Sequence, residues 1–135
     1  MGQSPWYDFI TRDLVSSGRL ARLIAERGLR GMTSNPTIFE KAIAGSPDYD
    51  ADIGRLASGG SSPGEIFEAL AVEDVGAACE VFRPVYDAAD GSDGLVSLEV
   101  RPELAHDTAG TIAEAKRLWA RLDRPNAMIK IPGTL

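Results

Sequence analysis

The stretch LVSLEV, from Leu95 to Val100, and the stretch AMIKI, from Ala127 to Ile131, are two short apolar runs separated by one helical pattern. That pattern predicts a helix from about Asp107 to Leu122. Its predicted inward-facing residues are Ile112, Ala115, Trp119 and Leu122. A strand, a helix and a strand in this order predict two parallel strands joined by a crossover helix.

The same order extends toward the N-terminus. The run from Trp6 to Ile10 predicts a first strand, and Leu29 to Ser34 predicts a second. Between them, apolar residues at helical spacing predict a helix that Gly28 ends, because glycine readily takes the left-handed conformation found after helices. These elements form a second strand-helix-strand unit.

The middle of the chain is helical. Short helical pieces are expected at about 39–44 and 49–56, before a Ser-Gly-rich loop. The spacing of Ser62 and Glu65 is that of a capping box and predicts the start of a long helix. The apolar positions of this helix recur every three or four residues: Phe67, Leu70, Val75, Ala78, Cys79, Phe82, Val85 and Tyr86.

Strands that alternate with helices predict an α/β protein. Two architectures fit this order: a (β/α)₈ barrel, of which the chain would form about the first four units, or an open parallel sheet. A complete barrel takes roughly 250 residues. We treat residues 1–135 as a single domain.

Composition excludes several classes of function. The chain has 135 residues, with 14 basic and 20 acidic side chains and a formal charge of −6, and 44% of its residues are apolar. An acidic globular chain without a basic cluster argues against binding to nucleic acid or to an anionic membrane. No apolar run reaches the ~20 residues of a transmembrane helix, and the N-terminus lacks signal-peptide features. A cytoplasmic location is therefore expected.

Cysteine and histidine are too few for a disulfide framework or a zinc site. Cys79 is the single cysteine and His106 the single histidine. Cys79 belongs to the apolar stripe of the long helix, and His106 lies near a helix start. We expect no metal and no cofactor.

Polar residues interrupt each predicted strand, although parallel strands covered by helices are normally apolar throughout. The interruptions share one face, because side chains alternate along a strand. They are Asp8 in strand one, Thr33 and Asn35 in or after strand two, Glu99 in strand three and Lys130 in strand four. The opposite face is predicted to pack against helices and carries Tyr7, Phe9, Met32, Val96, Leu98, Val100, Ile129 and Ile131.

These polar residues lie toward the carboxyl ends of their strands, where α/β proteins bind ligands. We expect them to form one pocket. Lys130 stands between two isoleucines, a setting that favours a neutral, nucleophilic amine able to form a Schiff base. Asp8 and Glu99 could then transfer protons, while Thr33 and Asn35 hold substrate hydroxyls. From spacing alone, a structural ion pair between Lys130 and Glu99 explains the pattern equally well.

Three segments resemble motifs of the transaldolase family. The run GMTSNPTIFEKAI, from Gly31 to Ile43, is similar to the family's strand-two motif. VSLEV, from Val96, and MIKIPGT, from Met128, are similar to its third and fourth active strands. The resemblance covers Pro5 to Leu135 and is closest to the longer bacterial members, some of which are fused to an isomerase domain.

The resemblance implies a (β/α)₈ barrel and a metal-free class I aldol mechanism. It implies that Lys130 forms a Schiff base with a ketose phosphate such as sedoheptulose 7-phosphate or fructose 6-phosphate. It assigns acid–base chemistry to Asp8, with Asp13 as the alternative, and a proton relay to Glu99. The acceptor would be glyceraldehyde 3-phosphate or erythrose 4-phosphate, as in the non-oxidative pentose phosphate pathway.

The resemblance also implies that strands five to eight, with the phosphate-binding residues, lie outside this sequence. We therefore expect the chain alone to be a poor catalyst. Two alternatives stay open: an aldolase that cleaves without transfer, and a non-catalytic half-barrel. Exposed sheet edges are expected to promote self-association.

Overall fold

Four strands form one parallel sheet in the computed structural model, which describes residues 2–134. They are β1 (Trp6–Asp8), β2 (Gly31–Thr33), β3 (Leu95–Glu99) and β4 (Ala127–Lys130). Their order in the sheet is β1-β2-β3-β4, and every neighbouring pair is parallel. Each new strand is thus added on the same side of the preceding one. This is the order of a (β/α) barrel, whereas a doubly wound open sheet reverses direction at a switch point.

Six α-helices accompany the strands in the described part of the chain. They are α1 (Arg12–Ser16), α2 (Arg19–Arg27), α3 (Pro36–Ala44), α4 (Asp50–Ser58), α5 (Pro63–Ala88) and α6 (Thr108–Leu122). Two 3₁₀ helices, Pro47–Tyr49 and Pro102–Leu104, precede α4 and α6. Between residues 2 and 134, no helix is long and apolar enough to span a bilayer.

Local capping sets the helix boundaries. Ser62 and Glu65 form the predicted capping box at the start of α5. Gly28 ends α2 with φ at 66°, as predicted. Thr11, Asn35 and Asp107 cap α1, α3 and α6 through their side-chain oxygens. Each cap satisfies a backbone N–H that has no partner inside its own helix.

The core lies between the sheet and α5. Of the apolar stripe predicted for this helix, six residues are buried: Leu70, Val75, Ala78, Cys79, Phe82 and Val85. All of these except Leu70 belong to one core cluster with Met32, Val96, Leu98 and Val100 from the central strands. The predicted helix-packing face is therefore confirmed for β2 and β3.

The edge strands are less well covered. Tyr7 and Phe9, on the predicted helix-packing face, are 37% and 43% exposed, and Ile131 is 54% exposed. Tyr7 and Phe9 lie in an open cleft beside Leu14 and Leu23. The prediction that these positions are buried is wrong for this chain, because β1 and β4 each have a strand neighbour on one side only.

Helix α6 packs through a different face from the one predicted. Ile112 and Trp119 are 49% and 55% exposed. The buried stripe is Thr111, Glu114, Leu118 and Leu122, so only Leu122 of the predicted set is fully buried. The exposed apolar face lies along β4, where Trp119 contributes to a shallow groove with Met128. The prediction is therefore right for Leu122 and for Ala115, which is partly buried against the core, and wrong for Ile112 and Trp119.

Candidate active site at the carboxyl end of the sheet

The five predicted site residues lie at the same end of the sheet. Asp8, Thr33, Glu99 and Lys130 are the last residues of β1, β2, β3 and β4. Asn35 follows β2 and caps the next helix. Asp8 is level with Thr33, and Glu99 with Lys130, in the strand register. The parallel sheet therefore brings together residues that are up to 122 positions apart (130 − 8).

Three of these residues line one open cavity of about 570 Å³. They are Asp8, Asn35 and Glu99, and the rest of the wall comes from Pro36, Thr37, Ile38 and Pro102. Asp13, the alternative to Asp8, lies instead on α1 in an ion pair with Arg19. The geometry therefore favours Asp8 as the carboxylate that faces a bound molecule.

Lys130 joins the site through Glu99. Its Nζ lies 2.9 Å from Glu99 Oε2, and the two side chains are 41% and 24% exposed. Ile129 and Ile131 point to the other face because side chains alternate along the strand. The group closest to the amine is therefore a carboxylate, and the pair is open to solvent rather than buried in the core.

Asn35 has a defined amide orientation. Its Oδ1 accepts a hydrogen bond of 2.9 Å from the backbone N–H of Ile38, which caps α3. The amide nitrogen of Asn35 can then face the cavity that this residue lines. An amide nitrogen only donates hydrogen bonds. Asn35 therefore offers a donor to a carbonyl or hydroxyl oxygen. An Asn-Pro pair at a helix start is the local signal for this cap.

Thr33 is held from the neighbouring strand. The hydroxyl of Ser97 donates to Thr33 Oγ1 at 3.0 Å, and the hydroxyl of Ser34 donates to the Ser97 carbonyl at 2.7 Å. Ser97 and Ser34 are buried. These hydroxyls link the β2 segment to β3. Ser97 thus helps to hold Thr33 in place, and no local sequence signal reveals this contact.

Metal-binding groups are scattered in the part of the chain that the structure covers. Within residues 2–134, no three His, Cys, Asp or Glu side chains cluster closely enough to hold a metal ion. Cys79 is buried in the core, and burial raises the pKa of its thiol to about 12. The polar groups at the sheet end are instead an amine, two carboxylates, an amide and hydroxyls, which can perform nucleophilic and acid–base chemistry.

Comparison with known proteins points to one family. The sequence model of "Transaldolase/Fructose-6-phosphate aldolase" matches residues 5–135. The chain is 54% identical over 134 residues to the transaldolase of Acidothermus cellulolyticus and 48% identical over 134 residues to that of Thiobacillus denitrificans. It is also 50% identical over 133 residues to transaldolase 2 of Nostoc punctiforme.

These matches cover 98–99% of this chain but only 35–37% of each relative. The chain thus spans little more than a third of the length of the curated relatives it matches. The family model nevertheless matches almost every residue, and the strand order is the one that a barrel requires. This chain belongs to the transaldolase/fructose-6-phosphate aldolase family.

Proposed function

We propose that this chain carries the Schiff-base half of a transaldolase active site. The observation that supports it most directly is the Glu99–Lys130 pair, which lies beside the cavity that Asp8 and Asn35 line. An amine next to a carboxylate, at the end of a barrel-type sheet, has the groups that carbinolamine formation requires. Residues 1–135 would form one domain, the first part of a larger barrel.

The proposed reaction begins at Lys130. The ammonium group passes a proton to its ion-pair partner Glu99, and the resulting amine attacks the C2 carbonyl of a ketose phosphate. The carbinolamine then loses water to form a protonated imine. Glu99, through a water molecule, exchanges the protons of these steps. Asn35 donates a hydrogen bond to the oxygen that carries the developing charge, and Thr33 orients a hydroxyl of the substrate.

Bond cleavage then depends on Asp8. Its carboxylate takes the proton of the C4 hydroxyl, the C3–C4 bond breaks and an aldose phosphate leaves. The electron pair of that bond passes into the imine, giving an enamine on Lys130. The enamine adds to the aldehyde of a second aldose phosphate, and hydrolysis frees the lysine.

The substrate class follows from the family. Fructose 6-phosphate or sedoheptulose 7-phosphate would be the donor, and glyceraldehyde 3-phosphate or erythrose 4-phosphate the acceptor, in the non-oxidative pentose phosphate pathway. The local site contains two carboxylates and one amine, so it offers little attraction to a phosphate. The phosphate site would lie in the part of the relatives that this chain does not span. A cytoplasmic location stays a prediction.

Borohydride trapping tests this proposal. The chain is incubated with fructose 6-phosphate and sodium borohydride, and the modified lysine is located by peptide mass spectrometry. We expect a dihydroxyacetone adduct on Lys130 that Lys130→Gln abolishes and Lys116→Gln, on the exposed face of α6, does not change. An adduct distributed equally over the three lysines, or none on Lys130, would contradict the assignment.

Cleavage without transfer is the second candidate activity, since the matching family includes fructose-6-phosphate aldolases. The two activities differ in what accepts the enamine: a proton in the aldolase and an aldehyde in the transferase. Release of free dihydroxyacetone without an acceptor aldose would favour the aldolase. A requirement for the acceptor would favour transfer.

Exposed apolar side chains support a further proposal, that the 135-residue chain associates with a second copy of itself. Within residues 2–134 the exposed large apolar side chains lie along the two outer strands and on α6 beside β4. They are Trp6, Tyr7, Phe9, Ile112, Trp119, Met128 and Ile131. Apolar groups next to unpaired strand edges favour association in water.

A further inference from the structure

The loop that follows Glu99 is anchored by a carboxylate from α6. The backbone N–H of Arg101 donates to Glu114 Oε1 at 3.1 Å. The guanidinium of the same residue donates through Nε at 3.0 Å to both oxygens of Glu114, and through Nη2 at 2.7 Å. Both the main chain and the side chain of Arg101 are thus held by one carboxylate.

Glu114 is suited to this role because its side chain is buried. Its side chain is only 5% exposed, although that of Arg101 is 67% exposed. The hydrogen bond from Arg101 is the main cause that lowers the pKa of Glu114, so the carboxylate is ionised at neutral pH. Charge-assisted, bidentate bonds of this kind are shorter and stronger than neutral ones. The anchor is therefore a rigid point next to the active site.

The anchored loop reaches both partners of the site pair. Val100, between Glu99 and Arg101, donates its N–H to the Lys130 carbonyl at 3.1 Å. Pro102, which follows Arg101, lines the same cavity as Asp8 and Glu99. The backbone N–H groups of Val100 and Arg101 are thus both hydrogen-bonded, the first to β4 and the second to α6. Movement of this loop would change the position of Glu99 relative to Lys130.

We infer that Glu114 is a positioning residue that maintains the Glu99–Lys130 pair through Arg101. The hydrogen bonds of Glu114 go to Arg101, two residues after Glu99, so the proposed route runs through this loop. The meaning of this role for catalysis rests on the function proposed above. The structural claim, that loss of the Glu114 charge loosens the pair, is independent of any substrate.

The reactivity of Lys130 toward acetylation reports on the Glu99–Lys130 pair. The chain has three lysines, Lys41, Lys116 and Lys130. Limiting acetylation followed by peptide mass spectrometry gives the reactivity of Lys130 relative to Lys41, which lies on the exposed side of α3. Because the ion pair with Glu99 competes with the reagent, we expect Glu99→Gln to raise this ratio about threefold, the scale of a partly exposed ion pair.

Glu114→Gln is expected to raise the same ratio toward the Glu99→Gln value. The matched control, Glu73→Gln, removes an exposed carboxylate that pairs with Arg12 and should leave the ratio at the wild-type value. Because Lys41 is already exposed, it corrects only for the activity of the reagent, and urea denaturation of each variant separates positioning from destabilisation. If Glu114→Gln does not fold, Arg101→Lys replaces it, because a lysine cannot make the bidentate contact.

A wild-type ratio in a folded Glu114→Gln or Arg101→Lys protein would overturn the inference. So would a wild-type ratio in Glu99→Gln, because the pair would then not protect Lys130 at all. Acetylation uses no substrate, whereas the borohydride adduct on the wild-type chain tests the proposed function alone. Either the positioning role or the proposed function can therefore be refuted without the other.

Discussion

Lys130 and Glu99 lie opposite each other on neighbouring parallel strands, with Nζ and Oε2 separated by 2.9 Å. Both side chains are partly exposed, so water screens their attraction. An ion pair of this kind contributes little to stability. Its place at the end of the sheet, beside Asp8 and Asn35, is the one that the proposed function requires.

Glu99→Gln separates a role of the ion pair in stability from a role in chemistry. We expect the unfolding free energy to change by less than about 1 kcal/mol, because the pair is partly exposed. The rate of adduct formation on Lys130 should fall by roughly 10²-fold, the scale of general acid–base catalysis. Urea denaturation and borohydride trapping measure the two quantities. Glu103→Gln, at an exposed position in the following loop, is the control, and an equal fall in both variants would refute the role of Glu99.

Tyr49→Phe tests a polar cluster in the core. The Tyr49 hydroxyl donates to Asp74 Oδ2 at 2.7 Å and accepts from the Arg12 N–H at 2.9 Å, and Tyr49 and Asp74 are buried. Loss of the hydroxyl leaves buried polar groups unpaired and should cost about 1–3 kcal/mol. Urea denaturation measures this cost.

Tyr7→Phe removes the same hydroxyl from a side chain that is 37% exposed and should have a much smaller effect. Equal losses of stability in the two variants would mean that the Tyr49 contacts do not contribute. The expected difference depends on the burial and the two hydrogen bonds of the Tyr49 hydroxyl, since the two substitutions are chemically identical.

Gly94→Ala tests the turn between α5 and β3. Gly94 has φ at +74°, and an added Cβ would lie 2.4 Å from the backbone nitrogen of Tyr86. Backbone strain and overpacking together should cost roughly 3 kcal/mol or more. Gly60→Ala is the control: φ is +86°, but no atom lies within 4 Å of the added Cβ. It should show the strain without the clash, and a similar loss in both proteins would exclude a packing role for Gly94.

Acid sensitivity follows from the ion pairs that α6 makes with α5 and with Arg101. A hydrogen bond from Arg117 is the main cause that lowers the pKa of Glu68, and Arg101 does the same for Glu114. A folded-state pKa below the unfolded value of 4.5 means that stability is full above pH 4.5 and falls as the pH decreases further. Burial raises the pKa of Asp74, which acts in the opposite direction.

Arg117→Met should therefore flatten the fall in stability below pH 4.5, as followed by urea midpoints at several pH values. The contribution of Asp74 is common to both proteins and cancels in the comparison. Arg22→Met, on the exposed surface of α2, should keep the wild-type pH dependence. An unchanged slope in Arg117→Met would show that this arginine does not set the acid sensitivity.

The proposed self-association would use the apolar face beside β4. Trp119 and Met128 are 55% and 42% exposed and line the same groove. Sedimentation velocity of the wild-type chain should show a dimer at micromolar concentration, and Trp119→Lys with Met128→Lys should reduce it. Ala113→Lys with Ala120→Lys adds the same two charges at exposed positions of α6 and should not. A wild-type monomer would contradict the proposal.

The order of strands and helices was sufficient to predict the parallel sheet, and the alternation of side chains along each strand placed Asp8, Thr33, Glu99 and Lys130 on one face of it. Side chains alternate along any strand, so this prediction needs no knowledge of the neighbours. The capping box at Ser62 was also predictable, because its partners are three residues apart. Such features depend on contacts within a few residues along the chain.

Tertiary structure alone decided which face of α6 is buried, how Asn35 is oriented and which carboxylate anchors Arg101. The Tyr49–Asp74 bond and the exposure of Trp119 also depend on how the helices pack against the sheet. These contacts join residues that are distant in sequence, and a residue pattern does not state which of several apolar or charged groups will meet. The sequence alone therefore determined the strands and the polar groups at their ends, while packing determined the geometry that holds those groups in place.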